Sequence, residues 1–79
     1  MSTDVLEQIF RLTLEVGDRD PATVVRGEYE GWDSLAHASL VFTVEQELEL
    51  ELTPEEIERI DSLATLREAV REARARQGV

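Results

Sequence analysis

The chain has 79 residues, no cysteine, one histidine, and eight arginines (no lysine) against eighteen acids, for a net charge of −10. This excludes disulfides, thiolate zinc sites and a cysteine nucleophile, and it argues against any metal centre beyond weak carboxylate binding of calcium or magnesium. A nucleic-acid backbone would be repelled and basic patches on partner proteins attracted, unless the acidity serves only to keep a small domain soluble.

A chain of this length builds one domain, 1–79, that buries about 60% of the surface its unfolded form exposes. The start of the chain lacks the basic and then apolar layout of a signal peptide, and no apolar run reaches membrane-span length. The expectation is a cytoplasmic monomer with no membrane or nucleic-acid partner. An enzyme is disfavoured, because no set of acid, base and nucleophile is evident and no catalytic residue is assigned.

A first helix is predicted over 4–16 from Val5, Ile9, Leu12 and Val16, spaced by three or four. Asp4 followed by Glu7 resembles a capping box, and Gly17 is the expected C-cap. From there to Asp33 the chain is irregular, with Gly27 and Gly31 and the apolar anchors Val24, Val25, Tyr29 and Trp32. A loop this long in so small a domain is usually functional or partly mobile.

A second helix is predicted over 34–48. Thr53-Pro54-Glu55-Glu56 then starts a short third helix, 54–60, with threonine as cap, proline at the first helical position and Glu56 completing the box. Ser62 caps a fourth, 63–76, carried by Leu63, Leu66, Ala69, Val70 and Ala73, with arginines suiting the dipole at its end. Glu47 to Leu52 alternates acid and leucine like a strand. No other segment alternates to pair with it, so it reads as the end of the second helix plus an extended connector.

Asp33-Ser34 opens the second helix, and both residue types are favoured caps that need no further explanation. Two circumstances point beyond capping. The pair ends a long glycine-containing loop, which puts the serine at the surface, and a helix N-terminus favours a phosphate placed there.

Gly31-Trp32-Asp33-Ser34-Leu35 resembles the phosphopantetheine attachment motif of acyl carrier proteins. The residues that follow strengthen the likeness: Leu40-Val41, Phe42, Val44, Glu45, Glu47 and Leu48, then Leu52, Glu55-Glu56, Ile57 and Ile60, then Leu63 and Leu66. The resemblance implies an all-α four-helix bundle of acyl-carrier type, with a long first loop and a short third helix. It further implies that Ser34 carries 4′-phosphopantetheine through a phosphodiester installed by a phosphopantetheinyl transferase. Asp33 would help the transferase and its metal ion engage, and Leu35 would dock the modified turn. The arm would hold an acyl group as a thioester for activating and transferring enzymes with basic or mixed patches.

In that family the second helix faces partner enzymes. At about 100° per residue, Leu35, Ala38, Leu40, Val41, Phe42, Val44 and Leu48 form a wide apolar arc. That arc serves either as core or as the wall of a groove for the acyl chain. The remaining stripe is Ala36, Ser39, Thr43, Gln46 and Glu47, the expected recognition face. Ala36 and Ser39 stand where the fatty-acid type of carrier has acids, and the acids gather instead at Glu45, Glu47, Glu49 and Glu51. This departure implies a specialised carrier, with an aminoacyl or peptidyl carrier as the first alternative and a cofactor-free acidic adaptor as the second. His37 is read as a boundary residue with one satisfied nitrogen. Tyr29 and Trp32 are read as lids that pack the loop onto the helices.

Overall fold

The computed structural model describes residues 4–78. Residues 1–3 and 79, part of the single domain expected over 1–79, lie outside the described residues. Four α-helices and no strand are found among the described residues: α1 (Val5–Leu14), α2 (Ser34–Leu48), α3 (Pro54–Arg59) and α4 (Leu63–Gln77), with a 3₁₀ turn at Pro21–Thr23.

α1 starts as expected, with Asp4 accepting from the Leu6 N–H at 3.0 Å. Glu7 does not close a capping box; it accepts instead from Arg11 Nε at 3.1 Å, one turn on. The helix also ends earlier than expected. Glu15 takes the left-handed conformation (φ 53°, ψ 48°), and Val16 N–H reaches back to the Arg11 carbonyl at 3.0 Å. That pairing closes the helix with a left-handed residue two positions before Gly17. The buried face also differs. It is formed by Ile9, Phe10 and Leu14 with Leu6 at its edge, while Leu12 is 79% exposed and Val5 also faces solvent. Both sets share the helical spacing, and the one carrying phenylalanine removes more apolar area from water.

The loop from Gly17 to Asp33 is folded against the helices. Arg11 Nη1 donates to the Gly17 carbonyl at 2.7 Å, and Arg26 N–H donates to the Asp61 carbonyl at 2.9 Å. Pro21, Val24 and Trp32 are buried, and the Trp32 ring meets Phe10 edge-on with centroids 5.4 Å apart. Tyr29 Oη donates toward the carbonyls of Leu14 and Glu15, at 2.9 and 3.1 Å, satisfying groups that the end of α1 leaves free. Both aromatic side chains therefore act as packing and capping groups.

α2 spans the predicted range and ends on Glu49 (φ 53°), where Leu50 N–H bonds to the Glu45 carbonyl. The alternating segment is extended without a sheet. Leu50 and Leu52 point inward and Glu49 and Glu51 outward, as successive side chains of an extended chain must. Side chains take the place of a ladder: Gln77 Oε1 accepts from Glu51 N–H at 2.8 Å, and Glu45 Oε2 from Leu52 N–H at 2.9 Å. α3 begins with the predicted Thr53–Glu56 capping box and ends one residue early, at Arg59, leaving Ile60 fully buried. α4 buries the five predicted residues and runs one residue beyond the expected end.

One cluster of buried apolar side chains joins all four helices and the loop, with Phe10, Leu40, Val44, Ile60 and Leu66 at its centre. Three ion pairs among the described residues fasten α4. One runs from Arg59 of α3 to Glu72 at 3.7 Å. Arg67 grips Asp4 at the start of α1, and Arg76 grips the buried Glu56 of α3 with Nη1···Oε2 2.6 Å. No helix among the described residues is long and apolar enough to cross a membrane.

Candidate functional site

The loop delivers the chain to α2 through three features. Gly31 sits where no side chain fits, because a Cβ there would lie 2.6 Å from Tyr29 Cε2 and 3.3 Å from the Leu14 carbonyl. Trp32 is then drawn into the core. Asp33 is the actual N-cap, its Oδ1 accepting from Ala36 N–H at 2.8 Å. The helix-cap reading of Ser34 thus shifts by one residue. The serine occupies the first helical position, its side chain is exposed, and its Oγ has no hydrogen-bond partner among the described residues.

This geometry leaves the hydroxyl accessible beside backbone N–H groups that lack intrahelical partners. The first four N–H groups of a helix have none, and of the first three here only that of Ala36 is taken by Asp33. Positive ends of peptide dipoles therefore surround an exposed nucleophilic oxygen. An anionic phosphodiester on Ser34 would sit in a favourable field at the tip of an otherwise acidic protein. Asp33 lies exposed beside it, and Leu35 projects into solvent with 77% of its surface exposed.

Behind the serine, His37 binds the loop and two helices together. Trp32 Nε1–H donates to His37 Nδ1 at 3.0 Å, and an indole nitrogen can only donate. The imidazole proton therefore lies on Nε2, which faces the Ile57 carbonyl of α3 at 2.9 Å. Arg26 lies against the same ring edge, 2.8 Å from Nε2, while its Nη2 donates to the Glu58 carbonyl at 2.9 Å. Both imidazole nitrogens are thus engaged, where one satisfied nitrogen was expected.

The wide apolar arc of α2 divides in two. Leu40, Val41 and Val44 are buried and Leu48 half-buried, whereas Leu35, Ala38 and Phe42 are exposed, Phe42 at 63%. The solvent face of the helix is thus Leu35, Ala38, Ser39, Phe42 and Gln46. It is rotated from the stripe expected at Ala36, Ser39, Thr43, Gln46 and Glu47. Ala36 packs against the core and Thr43 is half-buried, its hydroxyl donating back to the Ser39 carbonyl at 2.8 Å. Only Ser39, Gln46 and Glu47 of the expected stripe are exposed. Sequence reasoning missed Phe42 as a surface residue, and the one available hint was that α2 is apolar on every side.

A shallow groove of about 360 Å³ runs from the end of α1 to the start of α2, lined by Thr13, Leu14, Tyr29, Asp33, Leu35 and Ser39 among others. Among the described residues no cluster of three or more histidine, aspartate or glutamate side chains is arranged to hold a metal ion. In comparisons with known proteins, no family model, no curated protein and no solved structure matches this chain.

Proposed function

We propose that this chain is a carrier of acyl-carrier type, and that Ser34 is the attachment point for 4′-phosphopantetheine. The observation that carries the reading is the position of Ser34: an exposed, unengaged hydroxyl at the first position of a 15-residue helix, immediately after the capping aspartate. The surrounding residues fit the group. The helix end supplies free N–H donors for its phosphate, and the shallow groove beside Asp33 and Leu35 gives the arm a surface to lie along.

When bound, phosphopantetheine supplies the thiol that this cysteine-free chain lacks. In a transferase, Ser34 Oγ would attack the pantetheine-side phosphorus of coenzyme A and form the phosphodiester. The pyrophosphate P–O bond breaks, adenosine 3′,5′-bisphosphate leaves, and the transferase takes up the hydroxyl proton. Asp33 fixes the first turn through Ala36 N–H and presents its exposed carboxylate to the transferase and its metal ion. Leu35, unsupported by the core, is available to seat the turn against that enzyme. The chain then delivers cargo without catalysing a step.

The uncharged solvent face of α2 supports a specialised carrier over a general fatty-acid one, and it favours an aminoacyl or peptidyl carrier as the second reading. The acids lie off that face, at its far end and beyond.

Intact-mass measurement after incubation with coenzyme A and a broad-specificity phosphopantetheinyl transferase tests the proposal. The expected result is a gain of one phosphopantetheine, absent in Ser34→Ala. No gain, or a gain that persists in Ser34→Ala, would overturn it and leave the cofactor-free acidic adaptor. Asp33→Asn separates two roles of the aspartate, because asparagine keeps the cap. Slower modification at unchanged stability is expected. Loading assays with acyl- and aminoacyl-activating enzymes then assign the cargo class.

A further inference from the structure

Helix α4 segregates its charges. Arg67, Arg71 and Arg74 follow at spacings of four and three, so they stack in one column, while Glu68 and Glu72 stack in another. Like charges stacked at this spacing destabilise a helix, and interspersing the two signs would relieve the repulsion. The glutamate column faces a groove shared with α3, where Arg59 reaches Glu72 at 3.7 Å. The arginine column faces the other way, toward α1. Arg67 is held by Asp4, but Arg71 and Arg74 form no ion pair among the described residues. The dipole at the helix end accounts for Arg74, which lies in the last turn, and not for Arg71, which lies before it. A chain with eighteen acids to eight bases thus leaves two guanidinium groups unneutralised side by side.

These arginines border an open groove of about 480 Å³ between α1 and α4, with Leu6, Val70 and Ala75 in its lining. We propose that this groove docks an acidic amphipathic helix of a partner protein. Its apolar side chains would rest on Leu6, Val70 and Ala75, and its carboxylates would pair with Arg71 and Arg74. Arg71 and Arg74, three residues apart, are separated by about 4.5 Å along the helix axis, which matches carboxylates one turn apart on a facing helix. Local charge complementarity selects the occupant, because a helical segment sets only a few carboxylates against Arg71 and Arg74. A second copy brings its whole charge of −10, and an anionic lipid surface an extended layer of negative charge, against the rest of this acidic chain. The face lies on a different helix from Ser34, so docking here is independent of phosphopantetheine attachment.

The test is an amide-shift NMR titration of the ¹⁵N-labelled full chain. The probe is a synthetic helical peptide with leucine at every third or fourth position and glutamate between. Shifts are expected at Leu6, Val70, Arg71 and Arg74, with affinity falling about tenfold in Arg71→Gln/Arg74→Gln. Affinity should also fall as salt is raised, and a control peptide with lysine in place of glutamate should not compete. Shifts confined to other surfaces, or unchanged affinity in the double variant, overturn the proposal. Concentration-dependent dimerisation that requires the two arginines would instead assign the groove to a second copy. Binding of phosphatidylglycerol vesicles with the same requirement would assign it to lipid. Both substituted side chains are exposed, and circular dichroism of the variant verifies that the fold is kept.

Discussion

The indole N–H of Trp32 donates to Nδ1 of His37 at 3.0 Å, and this bond joins the loop before Ser34 to the first turn after it. Trp32 is almost fully buried, so its N–H has no water to turn to. His37→Ala should destabilise the protein by about 1–3 kcal/mol, the cost of an unsatisfied buried donor, with further loss from the freed Ile57 carbonyl. Trp32 is the only tryptophan, so its fluorescence during urea unfolding reports the change directly. A His37→Ala midpoint equal to wild type would show that this bond contributes nothing.

Gly31 and Tyr29 form a second pair around the same turn. Tyr29 is held by its hydroxyl at the end of α1, so its ring cannot swing away from a new methyl group at position 31. Gly31→Ala should therefore cost about 1–3 kcal/mol through crowding. Removing the ring in the Tyr29→Ala background should shrink the effect of Gly31→Ala, which a double-mutant cycle on unfolding free energies would detect.

Glu15 and Glu49 each close a helix in the left-handed region, which costs a residue with a Cβ about 1–2 kcal/mol. Glycine removes that strain while adding about 0.5–1 kcal/mol of unfolded-state freedom. Glu15→Gly and Glu49→Gly are each expected to raise stability by about 0.5–1 kcal/mol, measured as a higher melting temperature. A fall in either variant would mean that the carboxylate itself supports the helix end.

The Glu56–Arg76 pair makes stability depend on acid. The hydrogen bond from Arg76, followed by that from the Thr53 backbone, holds the Glu56 carboxyl below its ordinary 4.5, against the opposing pull of burial. The folded state thus prefers the ionised form. The contribution is complete above pH 4.5 and disappears as pH falls below it toward the folded-state value. Asp4, lowered chiefly by its hydrogen bond from Arg67, adds a smaller loss of the same sign at lower pH, because it is part-exposed. Urea midpoints between pH 7 and pH 3 should fall less steeply in Glu56→Gln than in wild type. Equal slopes would remove Glu56 from the account.

Leu35 and Phe42 are the largest exposed apolar groups on α2, and neither supports the core. Leu35→Ala and Phe42→Ala should leave unfolding within about 0.5 kcal/mol of wild type. On the proposed function, they should slow modification and loading, respectively, by several-fold. Acidic substitutions at Ala36 are a poorer probe, because Ala36 packs against the core and a charge there perturbs the fold as well as the surface. Loading rates unaffected by Phe42→Ala would move the recognition face elsewhere.

Residue order alone specifies the helical content and most helix starts. Thr53, Pro54 and Glu56, and likewise Ser62, are local devices whose hydrogen bonds close within a single turn, so residue order suffices to read them. The five buried residues of α4 were legible from their helical spacing, and the extended course of residues 50–52 from their alternation. The inward direction of Leu50 and Leu52 comes from the structure. Helix ends were less legible. Glu15 and Glu49 adopt a conformation that glycine favours, and only the packing of Val16 and Leu50 behind them imposes it on glutamate.

At the candidate site, the order Asp33, Ser34, Leu35 already located an exposed hydroxyl at a helix start. Which residue is the cap, and which way α2 is turned, follow from packing between the elements. α2 is apolar around most of its circumference, so periodicity offers no unique inward face; its contacts with α1 and the loop choose one and leave Phe42 outside. The bonds from Trp32 to His37 and from His37 to α3 were likewise invisible in the sequence. They join residues through side-chain reach across separate elements, and that geometry exists only once the core has assembled.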